Sequence, residues 1–266
     1  MKSLSGYLRS RKLNKRLEQP PVKVRQQIGE HEIVFSVHTW IEYHNRALLS
    51  YAGEPDMVDW LKGNLRPKDV LWDVGANVGA YSLLAAKMAP GALVIAFEPY
   101  IPTFAHLWEN IVENVLARQI VPLCVALSDG TNLSELGISD VRAGSSEHVL
   151  GRKDLKALQP SLAIRGDEVC SVLGVPPPTL LKMDVDGYEM NVLQGMTSML
   201  RDSALRTCII EVQRGKTEEP VDKLMYAARF VRQSDSSSPA AGPTFNVIYK
   251  RGDSRGRKTF ERRRAN

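Results

Sequence analysis

Apolar positions along this chain fall into two alternating patterns. Short unbroken runs at residues 70–74, 92–97, 120–127, 179–183, 206–210 and 245–249 read as buried strands. Between them, apolar residues return every three or four positions at 81–88, 103–116, 188–193 and 221–230, and residues 167–173 read as a short helix, all with the period of a helix packed on one face. Residues 230–233 are the one candidate for a further strand, which brings the sheet to seven. Strand alternating with helix predicts an α/β fold: a Rossmann-like, mostly parallel seven-stranded sheet with helices on both faces. Ahead of it, His31 to Val37 alternates like a strand, and Trp40-Ile41-Glu42-Tyr43-His44 is expected to pair back on it as a hairpin, giving a small N-terminal β extension. Residues 54–61 read as a helix with proline near its start. Residues 131–165 show no sustained period and are too long for an ordinary connection, so an inserted hairpin or a mobile substrate loop is expected there.

The first central run ends in an acid and a glycine-spaced turn, Asp73-Val74-Gly75-Ala76-Asn77-Val78-Gly79. Gly75 and Gly79 suit a loop with left-handed backbone and close ligand approach, and Asn77 stands between them, so the G-x-G-x-x-G spacing that cradles a pyrophosphate is absent. Asp73 would repel a phosphate and welcome an amino group. The second run ends in Glu98, placed to hold both hydroxyls of a ribose. Together these features suit S-adenosylmethionine, which carries an amino-acid end and no phosphate; a dinucleotide site and a plain strand-turn-helix are the alternatives. Ser128 and Asp129, in the turn after the third run, are candidates to meet the adenine amino group, or form an ordinary turn.

These loops, with Phe97-Glu98-Pro99, Lys182-Met183-Asp184-Val185-Asp186-Gly187-Tyr188-Glu189 and Val192-Leu193-Gln194-Gly195, resemble the FkbM family of S-adenosylmethionine-dependent methyltransferases, in order from about Glu54 to about Asn246. The family's usual Asp-Val-Glu-Gly reads Asp-Val-Asp-Gly here, with Asp186 in the place of the glutamate. The resemblance implies a class I methyltransferase fold and an O-methyltransferase acting on a hydroxyl of a sugar, glycan or natural product.

Acids stand at the ends of four runs: Asp73, Glu98, Asp184 and Glu211. In parallel sheets ligands sit beyond the carboxyl ends of the strands, where the strand order reverses. Asp184 is the candidate general base, with Glu211 to orient the acceptor or to act on Asp184 by like-charge proximity. The reading adopted is metal-free; the alternative gives Asp184, Asp186 and Glu211 to a Mg²⁺ ion, since three oxygens suit a hard cation. His148, alone in the unpatterned stretch, is the next candidate for a base.

Composition adds a division of charge. The 266 residues, 43% hydrophobic and 24% charged, are ordinary globular material with room for one domain. The net charge of +5 hides an acidic body, because residues 1–29 hold eight Lys/Arg against one acid and residues 250–266 eight against two. Three parts are therefore expected: a basic flexible tail over 1–29, one methyltransferase domain over 30–249, and a second basic flexible tail over 250–266. The tails can contact anionic surfaces, and they carry the competing reading of a nucleic-acid (RNA) methyltransferase; a non-catalytic cofactor-binding module is the other. No run is long enough for a membrane span and the leader lacks a signal-peptide core, so a cytoplasmic protein is expected, with an organelle-targeting or membrane-surface helix as the alternative reading of Leu4, Leu8, Leu13 and Leu17. Cys124, Cys170 and Cys208 are far apart and sit in apolar segments, as reduced core residues do.

Overall fold

The structure is a computed structural model that describes residues 20–233 and 243–252. It opens with an antiparallel pair, β1 (Val22–Ile28) and β2 (His31–Val37). The expected tail over 1–29 thus gives way to a strand at Val22, because Val22-Lys23-Val24-Arg25 alternates apolar and basic positions and its lysine and arginine find partners: Lys23 with Glu113 at 2.6 Å and Arg25 with Glu32 at 2.7 Å. Residues 1–19 and 253–266, and the expected loop over 234–239, lie outside the described residues.

Trp40 to His44 does not pair back on β2. The chain turns instead into a helix that widens to a π-helix over Glu42–Leu48. A reciprocal cap starts it: the Thr39 hydroxyl accepts from Glu42 N at 3.1 Å, and the Glu42 carboxylate accepts from Thr39 N at 2.8 Å. This Thr-x-x-Glu pairing satisfies donors that a hairpin would have left to a partner strand. The outer edge of β2 is covered by side chains. Asn114 accepts from Val34 N at 3.0 Å and donates to Val34 O at 2.7 Å, while Asn110 accepts from Ser36 N at 2.8 Å.

The core follows as α1 (Pro55–Asn64), β3 (Val70–Val74), α2 (Ala80–Met88), β4 (Leu93–Phe97), α3 (Ile101–Glu113) and β5 (Ile120–Leu123). A second sheet is then inserted, built from β6 (Ala126–Ser128), β7 (Asn132–Ile138), β8 (Val149–Leu150) and β9 (Ala157–Arg165) in the order β6-β9-β7-β8. The chain returns through α4 (Gly166–Leu173), β10 (Leu180–Met183), α5 (Glu189–Gln194), β11 (Thr207–Gln213), α6 (Glu218–Ala227), β12 (Phe230–Arg232) and β13 (Thr244–Arg251).

The main sheet has seven strands in the order β12-β13-β11-β10-β3-β4-β5, parallel except where β13 meets β11 and β12. This is the Rossmann-like class I architecture, with the order reversing between β3 and β10. The two-residue period of the central strands sorts their side chains between two cores. Leu71, Val94 and Ala96 join Leu83, Leu84, Ile111 and Trp60 on one face. Trp72, Val74, Ile95 and Phe97 join Leu181, Met183, Val192 and Ile210 on the other.

Two expected strands have different ends. The run 120–127 is divided at Cys124-Val125: β5 is the edge of the main sheet, where Pro122 costs no ladder bond, and β6 pairs with β9 in the inserted sheet. Glu211 lies inside β11 and not at its tip, because antiparallel pairing with β13 extends that strand to Gln213. Among the described residues no helix is long and apolar enough to cross a membrane, and the three cysteines are free.

If the two asparagines serve as the missing neighbour of β2, Asn114→Ala strands a buried N–H and C=O. The variant should lose about 1–3 kcal/mol of stability in urea unfolding, the cost of leaving buried polar groups unpaired.

Candidate active site

The glycine loop is fixed from three sides. Gly75 N and Ala76 N both donate to Phe97 O at 3.0 Å, which ties the loop to the end of β4. Gly75 has φ +76°, and a Cβ there would come within 1.8 Å of Asp184 O, so the loop passes against the end of β10 at a distance only glycine allows. From below, Lys182 Nζ donates to Gly75 O at 2.8 Å and lies 3.1 Å from Asp73, which also accepts from Ser82 Oγ at 2.6 Å. Register explains the pair: Lys182 and Asp73 are partners across β10 and β3. Burial works against the lysine's charge, but Asp73 and then Asp184 more than offset it and hold its pKa above the usual value.

Above the strand ends lies a cavity of about 540 Å³, within the range of about 300–1,000 Å³ usual for ligand pockets. Gly75, Asn77, Glu98, Asp184, Asp186 and Glu211 line it, and a smaller cavity of about 220 Å³ shares Gly75, Asn77 and Asp184 with it. Glu98 accepts from Asn77 N at 2.9 Å through one oxygen and from Tyr100 N at 2.8 Å through the other. Burial nevertheless raises its pKa to about 7, against the pull of those two amides. Each of its oxygens keeps a lone pair for a ligand hydroxyl.

Asp184, Asp186 and Glu211 form one cluster, each offering a carboxylate oxygen within 4.8 Å of the others. No lysine or arginine forms an ion pair with them among the described residues. Burial, then the charge of Asp184 and Asp186, pushes Glu211 up to about 9; burial and Asp184 push Asp186 to about 6, although Asp186 accepts from Glu147 N at 2.7 Å. Three oxygens so placed can take a proton, orient a hydroxyl or hold a hard divalent cation.

Comparison with known proteins bears on which chemistry this is. A family model described as the methyltransferase FkbM domain matches residues 73–236. This chain belongs to the FkbM methyltransferase family. It is 32% identical over 179 residues, 66% of this chain and 70% of the relative, to the hexuronic acid methyltransferase AglP of Haloferax volcanii. It is 30% identical over 161 residues, 50% of this chain and 61% of the relative, to the 31-O-demethyl-FK506 methyltransferase FkbM of Streptomyces tacrolimicus. In fold it resembles the crystal structure of methyltransferase FkbM from Methylobacillus flagellatus, with a TM-score of 0.53 at 14% identity, over 80% of this chain and 48% of that one.

Within this FkbM methyltransferase, five of the residues singled out in the sequence as cofactor or catalytic candidates meet at the main cavity with Asp186: Gly75, Asn77, Glu98, Asp184 and Glu211. Gly79 sits at the start of α2 with φ +93°. Asp73 does not reach the cavity; its side chain is buried against Lys182 and supports the loop from beneath. Ser128 and Asp129 do not line it either. β6 carries them into the inserted sheet, where Ser128 Oγ lies 3.0 Å from Asp129 and 3.1 Å from the Tyr188 hydroxyl, and the cavity wall is made by Val125, Ala126 and Leu127.

His148 lines the cavity, but its ring is committed to the inserted segment: Nε2 lies 2.9 Å from Ser145 Oγ, and Nδ1 takes the Ser139 amide at 3.3 Å. Burial lowers its pKa to about 4, so it is neutral at pH 7. Arg46 and Glu54, which carry no motif that marks them in the sequence, line both cavities and precede the matched family region, and Lys182, likewise unmarked as a site residue, supports the loop. A Thr-x-x-Glu cap was the one available sign that residues 39–48 form a helix facing the site.

The raised carboxyls of Glu211 and Asp186 keep protons in the folded protein after the unfolded chain has released them. Stability of the ligand-free enzyme should therefore fall as pH rises, from 3.8 to about 6 through Asp186 and from 4.5 to about 9 through Glu211, and be unaffected by these groups below those ranges. Urea unfolding at several pH values measures the slope, and Glu211→Gln should flatten it.

Proposed function

We propose that this methyltransferase uses S-adenosylmethionine to methylate a hydroxyl of a sugar, glycan or natural product. The observation that carries this reading is the carboxylate cluster that Glu211 of β11 forms with Asp184 and Asp186 beyond the end of β10, set beside the glycine loop. Glu98 would hold the cofactor's ribose, Asp184 would face its methyl group, and Asp186 and Glu211 would receive the acceptor. A hydroxyl is a poor nucleophile until its proton is withdrawn. With S-adenosylmethionine bound, Asp184 would take that proton as the hydroxyl oxygen accepts the methyl group, whose carbon–sulfur electron pair stays on sulfur to leave neutral S-adenosylhomocysteine. Glu211, protonated at neutral pH, donates a hydrogen bond that orients the acceptor. Alignment of two bound reactants supplies about 7–11 kcal/mol of the barrier, and the base roughly 10² to 10⁴ in rate.

The relative named for a hexuronic acid supports a sugar acceptor. Such a sugar offers both hydroxyls and a carboxylate, and the lining favours the hydroxyl, since Asp184 and Asp186 repel a carboxylate and an anionic oxygen needs no base. The close grouping of the three carboxylate oxygens also suits a Mg²⁺-assisted version of the same transfer, in which the ion lowers the pKa of the hydroxyl.

Incubation with methyl-labelled S-adenosylmethionine and separate pools of glycans, small hydroxylated metabolites and RNA tests the acceptor class. Label is expected in the first or second pool; label in RNA alone, or binding without turnover, contradicts the reading. Asp184→Asn should lower turnover by roughly 10² to 10⁴ with cofactor affinity nearly unchanged. A chelator should leave the wild type active, whereas loss with recovery on added Mg²⁺ selects the metal version. Glu98→Ala should weaken S-adenosylmethionine binding in calorimetry by about 1.5–3 kcal/mol.

A further inference from the structure

The smaller cavity holds charges that the transfer step leaves unused. It lies between the glycine loop and the N-terminal helical segment, lined by Arg46, Glu54, Asn77, Tyr81, Lys182 and Asp184 among others. Two of its charges are already committed or hindered. Lys182 is spent on Asp73 and Gly75 O. Glu54, largely buried, accepts from the Tyr81 hydroxyl at 2.6 Å, and burial raises its pKa, so a bound cation would restore its charge.

Arg46 is different. Its Nε donates to Gly144 O at 2.8 Å, and no hydrogen bond or ion pair of its two terminal nitrogens occurs among the described residues. Its charge still acts on the site, since it lowers the pKa of Glu98, Asp186 and His148. The position is built rather than accidental. Arg46 lies one turn beyond Glu42, whose buried carboxylate accepts from His38 N and Thr39 N and pairs with His106 of α3. Gly144, which receives Arg46 Nε, packs so closely on Glu42 that a Cβ would come within 2.6 Å of it, and its N donates to Thr103 Oγ1 at 3.1 Å. The π-helix thus holds a guanidinium with free donors over the junction of the two cavities.

We propose that Arg46 binds the carboxylate of the cofactor's methionine end and that Glu54 takes its ammonium, which makes the N-terminal segment part of the cofactor site. This rests on S-adenosylmethionine being the cofactor. With ribose on Glu98 and sulfur near Asp184, the amino-acid chain must leave the main cavity beside Gly75 and Asn77, where the smaller cavity opens. A zwitterion there needs one cation with unused donors and one acid, and Arg46 and Glu54 supply them. The guanidinium fork matches a carboxylate through two parallel bonds. Both residues precede the family-matched region 73–236, so the family domain alone would lack this end of the site.

Calorimetry with two ligands tests it on the full chain: S-adenosylhomocysteine, which has the amino-acid end, and 5′-methylthioadenosine, the same nucleoside thioether without it. Arg46→Met should weaken S-adenosylhomocysteine by roughly 10- to 100-fold and leave methylthioadenosine unchanged. Arg46→Lys, which keeps the charge but not the fork, should fall between, and Glu54→Gln should repeat the selective loss. Equal weakening of both ligands in Arg46→Met would mean that Arg46 only supports the loop through Gly144 O, and unchanged S-adenosylhomocysteine affinity would remove it from the site; either overturns the proposal. Failure of the wild type to bind either ligand would instead reject the cofactor reading itself.

Discussion

The site depends on one buried ion pair. Asp73 and Lys182 face each other across the two central strands, where the strand order reverses, and both side chains are almost wholly buried. Two apolar residues could fill the same space without the cost of burying charge, and such replacements are often neutral or stabilising elsewhere. They would leave Gly75 O without its donor and Ser82 without its acceptor. The pair therefore joins β3, β10, the glycine loop and α2 at one point. Everything the cavity does is measured from that point, since the loop that bears the cofactor and the strand that ends in Asp184 share it.

Around this anchor the lining is mostly acidic: Glu54, Glu98, Asp184, Asp186 and Glu211 approach one cavity system, and burial or mutual repulsion raises the pKa of Glu54, Glu98, Asp186 and Glu211. An arrangement of that kind is costly for the empty protein and becomes favourable when positive charge or transferable protons arrive. In the proposed reaction a sulfonium cofactor would bring the first and a hydroxyl acceptor the second. The same field disfavours phosphates and carboxylates beside the acidic cluster, and Arg46, over the junction of the two cavities, offers donors to an anionic group.

The central strands were legible because strands covered on both faces read as unbroken apolar runs, and the loop was legible because Gly75 occupies a conformation and a contact that other residues cannot. The edges were harder to read. Val22 to Ile28 looks like a tail when its lysine and arginine are counted as charge, and like a strand only when its alternation is set against β2. The run 120–127 gives no sign that it changes sheets beyond Pro122, so Ser128 and Asp129 were placed at the wrong edge. Asp73 was recognised as important for the wrong reason: sequence locates it before the loop, but only register shows that Lys182 occupies its carboxylate. Arg46 and Glu54 were invisible because nothing local ties residues 42–54 to a loop thirty positions later; that link is made by tertiary contacts through Glu42, Gly144 and Tyr81.

The proposed reaction has this acidic cavity deprotonate a hydroxyl and not esterify a carboxylate. The most direct measurement is the chemical nature of the transferred methyl group: a uronic acid glycoside is incubated with enzyme and ¹³C-methyl S-adenosylmethionine, and the product is followed by NMR before and after mild alkali. A methyl ether that survives alkali is the predicted result. A methyl ester that alkali removes would contradict it, because a carboxylate acceptor needs no base and should be disfavoured beside Asp184 and Asp186.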